Sequence, residues 1–157
     1  MKLHSRHLLT WGFVGAMLLA NPAIALAQDT SNYIGLGATD EGFAVNAKLE
    51  LAKQLSVRPA VLTDVEFEDD TEVTIIAPVT YDFESPFKDG KLLPFVGAGI
   101  GGTTRDDGSV GLTVTGGADY RASNKLTANG SVAWLAFDDD RVNVIVGLGY
   151  IVISNKF

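Results

Sequence analysis

Ser109-Val110-Gly111-Leu112-Thr113-Val114-Thr115-Gly116-Gly117-Ala118-Asp119-Tyr120-Arg121 alternates two chemistries residue by residue. One set reads Val110, Leu112, Val114, Gly116, Ala118, Tyr120, and the other Gly111, Thr113, Thr115, Gly117, Asp119, Arg121. Successive side chains of an extended chain point to opposite sides, so a period of two marks a strand with one apolar and one small or polar face. The stretch from Arg141 to Val152 repeats it, with Val142, Val144, Val146, Leu148 and Tyr150 against Asn143, Ile145, Gly147 and Gly149. A soluble binding barrel turns its greasy face inward and covers its outside with Lys and Glu. Here the second face is mostly Gly, Thr, Ala, Asn and Ser, which suits the narrow inside of a barrel whose apolar face meets lipid.

Outward from that stretch, the same period gives eight segments: Asn32 to Thr39, Phe43 to Leu51, Leu55 to Asp64, Thr71 to Phe83, Leu92 to Thr103, Ser109 to Arg121, Lys125 to Leu135 and Arg141 to Val152. Ala47, Leu51, Ala52 and Leu55 would also suit a helical turn, but Phe43, Val45, Ala47, Leu49 and Leu51 alternate without a break. Connections such as Asp40-Glu41-Gly42, Asp106-Asp107-Gly108 and Ala122-Ser123-Asn124 are hairpin turns. The expected fold is therefore all-β, an eight-stranded antiparallel up-and-down transmembrane β-barrel. Pro59 and Pro78 interrupt the third and fourth segments, where a closed sheet needs every N–H. Their near symmetry about Glu68-Asp69 predicts that they lie close across the hairpin, at a bulge.

The aromatics after residue 27 gather near strand ends or in connections. With a periplasmic N-terminus, Tyr33, Tyr81, Phe83, Phe87, Phe95, Tyr120, Tyr150 and Phe157 fall at the periplasmic level, and Phe43, Phe67, Trp134 and Phe137 at the outer level. Two such rings are what a membrane interface selects. Tyr33 and Phe95 have the parity of the glycine face, where they could cover neighbouring glycines instead.

The N-terminus carries Lys2 and Arg6, an apolar run from Leu8 to Ala20, and Ala25-Leu26-Ala27. The run is about 13 residues, short of the roughly 18 to 20 a spanning helix needs. It reads as a secretory signal over residues 1–27, cleaved after Ala27, with the barrel domain over 28–157. Loss of Lys2 and Arg6 takes the formal charge from −7 to −9, which argues against nucleic-acid binding. The signal also holds both histidines, His4 and His7, and the chain contains no cysteine. Ser-His-Asp hydrolysis, Cys nucleophiles and His- or Cys-ligated zinc each lack a required residue, so no enzyme and no cofactor is expected.

On the polar face, Lys48, Glu50, Arg58, Asp82, Asp119 and Arg121 all fall in the periplasmic half. Three charges of each sign in a poorly hydrated lumen should pair as a salt-bridge network that plugs it, with an ion-selecting constriction as the alternative. At the other end gather Asp40, Glu41, Asp64, Glu66, Glu68, Asp69, Asp70, Glu72, Asp106, Asp107, Asp138, Asp139 and Asp140, opposed by Arg105 and Arg141. Of these, Asp69, Asp70, Asp106, Asp107, Asp138, Asp139 and Asp140 are candidates to meet Ca²⁺ or Mg²⁺, although no loop has EF-hand spacing and a solvated acidic surface is the default. Gly97-Ala98-Gly99-Ile100-Gly101-Gly102 satisfies G-x-G-x-x-G, but a turn and another strand follow it, where a dinucleotide site needs a helix.

Leu93-Pro94-Phe95-Val96-Gly97-Ala98-Gly99-Ile100-Gly101 resembles the mid-barrel strand of the porin-like OmpA/OmpX-type outer-membrane barrels, and the terminal Phe157 resembles their assembly signal. That resemblance implies insertion by the barrel-assembly machinery through the C-terminal strand, and no particular activity. The expectation is a monomeric barrel among outer-membrane lipids with a structural or surface-interaction role in the envelope. The alternatives are a narrow passive channel for small solutes and a soluble periplasmic barrel binding an apolar ligand.

Overall fold

The computed structural model describes residues 32–64, 71–104, 108–137 and 140–152. The strands are β1 (Tyr33–Thr39), β2 (Gly42–Ala52), β3 (Leu55–Val57), β4 (Ala60–Asp64), β5 (Val73–Asp82), β6 (Leu92–Thr103), β7 (Ser109–Arg121), β8 (Leu126–Ala136) and β9 (Arg141–Ile151). Apart from β3 and β4, neighbours in sequence pair antiparallel, and β1 also pairs with β9, Tyr33 opposite Ile151 and Thr39 opposite Ile145. β3 and β4 both run between β2 and β5 and form one interrupted stave, so the closed barrel has eight. Closure leaves no unpaired edge, the condition for a sheet to stand in hydrocarbon.

The interruption falls at Arg58-Pro59, where the ladder lacks an N–H. The remaining groups are used: Ala47 N–H donates to Pro59 O at 3.0 Å, and Arg58 N–H to Pro78 O at 2.9 Å. The two prolines thus sit at neighbouring rungs, as their symmetry predicts. β2 adds a register shift between Glu50 and Ala52, then turns at Lys53-Gln54, with Gln54 at φ 64°.

Strand parity decides which way each residue faces. Val110, Leu112, Val114, Val142, Val144 and Val146 all lie on the outer surface, Val110 82 % exposed, whereas Thr113, Thr115 and Asn143 are buried inside. Ile34, Leu36, Val96, Ile100, Val132 and Leu148 extend the apolar exterior around the barrel. Phe43, Tyr81, Phe83, Phe87, Tyr120, Trp134 and Tyr150 are exposed near the ends, with Tyr81 and Phe83 in edge-to-face contact at 5.0 Å. Tyr33, Phe95 and Phe137 depart from the expected rings: the first two are buried in the lumen and Phe137 packs on the internal core. Phe67 and Phe157 lie outside the described residues.

The glycines of β6 mark where the barrel wall is tightest. A Cβ at Gly97 or Gly99 would run into the backbone of Val79-Thr80 or Ala77-Pro78 on β5. This close approach, not a nucleotide, accounts for the G-x-G-x-x-G spacing, because the segment stays strand through Thr103. At Gly149 a Cβ would meet the Tyr33 ring at 2.5 Å, and at Gly111 the Phe137 ring at 2.6 Å. In both places an inward aromatic lies in the space a glycine leaves open.

Candidate functional site

The lumen is built in layers, each set by inward-facing residues. At the end that holds the chain's described termini, Arg58 is the centre. It emerges at the β3–β4 break and is buried with every N–H used. Nε donates to Thr80 Oγ1 at 3.1 Å, one terminal nitrogen to Tyr33 Oη at 3.2 Å and Asp119 Oδ1 at 3.1 Å, and the other to Asp119 Oδ2 at 2.8 Å and Asp82 Oδ1 at 2.9 Å. The guanidinium carbon stacks 3.6 Å from the centroid of Phe95, a cation–π contact shielded from water. Lys48 Nζ lies 3.3 Å from Asp82 and 3.8 Å from Asp119. Tyr33 Oη donates to Asp119 at 3.0 Å, and Ser56 Oγ donates to Asp82.

Two cations thus face two carboxylates, and the pairs cross the lumen from β2, the β3–β4 break, β5 and β7, with Tyr33 of β1 and Phe95 of β6 beside them. Such a cluster is costly to form and costly to break. Desolvation offsets much of the Coulomb attraction, but removal of one partner leaves a buried charge bare. The fork of Arg58 on Asp119 also fixes geometry, since both carboxylate oxygens are held at once.

Sequence parity expected six charges here, and Lys48, Arg58, Asp82 and Asp119 are in direct contact. Arg121 has inward parity but is the last residue of β7 and is exposed beyond the lumen, so it is corrected out of the cluster. Glu50, half-buried beside the β2 register shift, stands at the edge of the cluster within electrostatic reach of Lys48 and Asp82, and its N–H donates to Asn32 Oδ1 at 2.8 Å. Tyr33, Ser56, Thr80 and Phe95 complete the cluster and were not singled out as site residues, although each has inward parity.

Above this layer Asn46 Nδ2 donates across the lumen to Asn129 Oδ1 at 2.9 Å. A cavity of about 30 Å³ lies beside them, bounded by Tyr33, Arg58, Phe95 and Thr115. Next comes an apolar layer of Ala44, Ala60, Leu62, Ile76, Ala133, Leu135 and Ile145, with Phe137 packed against it. The sequence reading expected a mostly small or polar interior with Ile145 on its face, and Leu62, Ile76 and Leu135 add to it a larger aliphatic layer. At the far end Arg141 bonds Glu72 at 2.6 Å and reaches Glu41 at 3.8 Å, while Thr103 Oγ1 donates to Glu72 at 2.9 Å. A cavity of about 10 Å³ lies beneath them.

Of the candidate cation-meeting aspartates, Asp140 is exposed, and Asp69, Asp70, Asp106, Asp107, Asp138 and Asp139 lie outside the described residues. Among the described residues no group of three or more acidic or His/Cys side chains is placed to hold a metal ion.

The same staves and closure recur in solved structures. The attachment invasion locus protein Ail of Yersinia pestis superposes with a TM-score of 0.54 at 14 % identity, over 76 % of this chain and 96 % of that one. The N-terminal β-barrel domain of Pseudomonas aeruginosa OprF gives 0.58 at 13 %, over 76 % and 97 %. Neisserial surface protein A gives 0.53 at 14 %, over 78 % and 97 %. The chain has the fold of the small eight-stranded outer-membrane β-barrels. At these identities the likeness is one of fold alone. The sequence matches no protein-family profile and no curated protein.

Proposed function

We propose that the chain is an exported outer-membrane barrel with a structural or surface-interaction role in the envelope, without catalysis and without a conducting lumen. The observation that carries this is the inversion of the barrel: its exterior is a continuous apolar wall between exposed aromatics, while its charges are paired inside. Exposed Val and Leu on every stave would aggregate in water and are stable in hydrocarbon. The inverted wall also disfavours a soluble ligand-binding barrel. The Arg58 cluster and the apolar layer around Leu135 close the lumen in series, which disfavours the passive channel.

In this reading residues 1–27 direct export and are removed, the barrel-assembly machinery recognises the C-terminal strand with Phe157, and the inserted barrel is a monomer among outer-membrane lipids. Hairpin connections rich in acid then face the outside. Cell fractionation with gel mobility before and after heating tests it. The protein should sediment with the outer membrane, need detergent for release, and migrate faster unheated than boiled. Recovery in the osmotic-shock fluid would contradict the reading.

A further inference from the structure

The two ends of the barrel carry opposite charge, and the end at which the described chain starts and stops is the basic one. Its turns place Lys53 between β2 and β3, Lys88 and Lys91 between β5 and β6, and Lys125 between β7 and β8, with Arg121 closing β7. All five are exposed, and Glu84 and Asp89 are the exposed carboxylates among these turns. Two of these turns sit on the last rungs of the sheet, where Arg121 N–H donates to Lys91 O at 2.9 Å and Ile151 N–H to Lys125 O at 2.8 Å, so the cations follow the rim and do not scatter along the wall. Tyr81, Phe83, Phe87, Tyr120 and Tyr150 are exposed beside them. At the opposite end Asp40, Glu41, Asp64, Glu72 and Asp140 are answered by Arg141.

We infer that this rim is a contact surface for anionic phospholipid headgroups of the leaflet at the terminal end. The inference rests on the membrane reading above. Two independent features converge on headgroup depth: flat amphipathic rings are most stable there, and Lys and Arg just above them meet the phosphodiester layer. Zwitterionic headgroups would satisfy the rings but offer the cations a phosphate already balanced by its own ammonium, and so no net counter-charge. The acidic end would repel the same lipids, so anionic lipid should collect at one rim only.

The absence of cysteine makes the test local. Protein extracted from outer membranes carries a fluorophore at Asn124→Cys on the basic rim or at Val110→Cys on the outer face of the acidic end, in vesicles with nitroxide-labelled phosphatidylglycerol or phosphatidylcholine. At residue 124 phosphatidylglycerol should quench at least about twofold better, a preference lost in high salt. At residue 110 it should quench no better than phosphatidylcholine. Joint replacement of the five cations by Gln should equalise the two lipids at residue 124. Equal quenching there in the folded wild type overturns the inference, as does a preference that survives the five replacements. Equal quenching together with salt-sensitive sedimentation on peptidoglycan would assign the rim to that polymer instead. Failure to reach the heat-modifiable folded form in any bilayer would overturn the membrane reading itself, which keeps the two failures apart.

Discussion

Arg58 and Arg141 stand at opposite ends of one lumen, face carboxylates, and are held differently. Arg58 is buried among Tyr33, Asp82, Phe95 and Asp119 with all its donors used. Arg141 bonds Glu72 firmly, but its second partner Glu41 is 45 % exposed, and one terminal nitrogen finds no acceptor among the described residues. The difference follows from position along the stave. A charge sunk below the rim of a narrow tube has no water to fall back on, so it is either completely paired or absent. A charge at the mouth can share its hydration. The two ends are separated by the apolar layer around Leu135, across which neither cluster bonds the other.

The largest expected effect is at Arg58. Arg58→Ala leaves Asp82 and Asp119 buried beside one lysine, and should lower unfolding stability in vesicles by about 3–5 kcal/mol, read by urea titration with gel mobility. Adding Asp119→Asn to that variant should recover part of the loss; no recovery would mean that Arg58 acts by packing on Phe95. Leu135→Ala opens the layer between the ends and should cost about 2–5 kcal/mol in the same titration, because the rigid staves cannot collapse on the hole. Arg141→Ala should cost about 1 kcal/mol, since the mouth readmits water to Glu72. A loss equal to that at Arg58 would erase the distinction between the two ends. Arg121→Ala should change stability by less than about 0.5 kcal/mol, as for an exposed side chain. That small value would separate two arginines that share inward parity.

Parity was readable because it is local. Val110, Leu112, Val114, Val142, Val144 and Val146 declare the outer face with no knowledge of their neighbours. The bounds of β6 and β7 match the sequence reading residue for residue, the β3–β4 stave matches at both ends but breaks at Arg58-Pro59, and the others differ at an end by one or two residues. Depth in the lumen is not local. Arg58 and Arg121 look alike in sequence, and only the tilt and closure of the sheet put one in the centre and the other past the rim. Tyr33 and Phe95 were pulled to the aromatic rings by their nearness to strand ends, although their glycine-face parity pointed inside. The apolar layer was hidden for a related reason. Val61-Leu62 and Ile75-Ile76 place aliphatic residues on both parities, so period alone cannot say which of them fills the barrel.

A closed lumen is the central claim, and single-channel recording tests it most directly. The barrel extracted from outer membranes, shown folded by its heat-modifiable mobility, is added to a planar bilayer in symmetric salt under applied voltage. The Arg58 cluster and the Leu135 layer in series predict a flat baseline with no reproducible steps. Steady steps of uniform size from the folded wild type, growing with salt concentration, would contradict it.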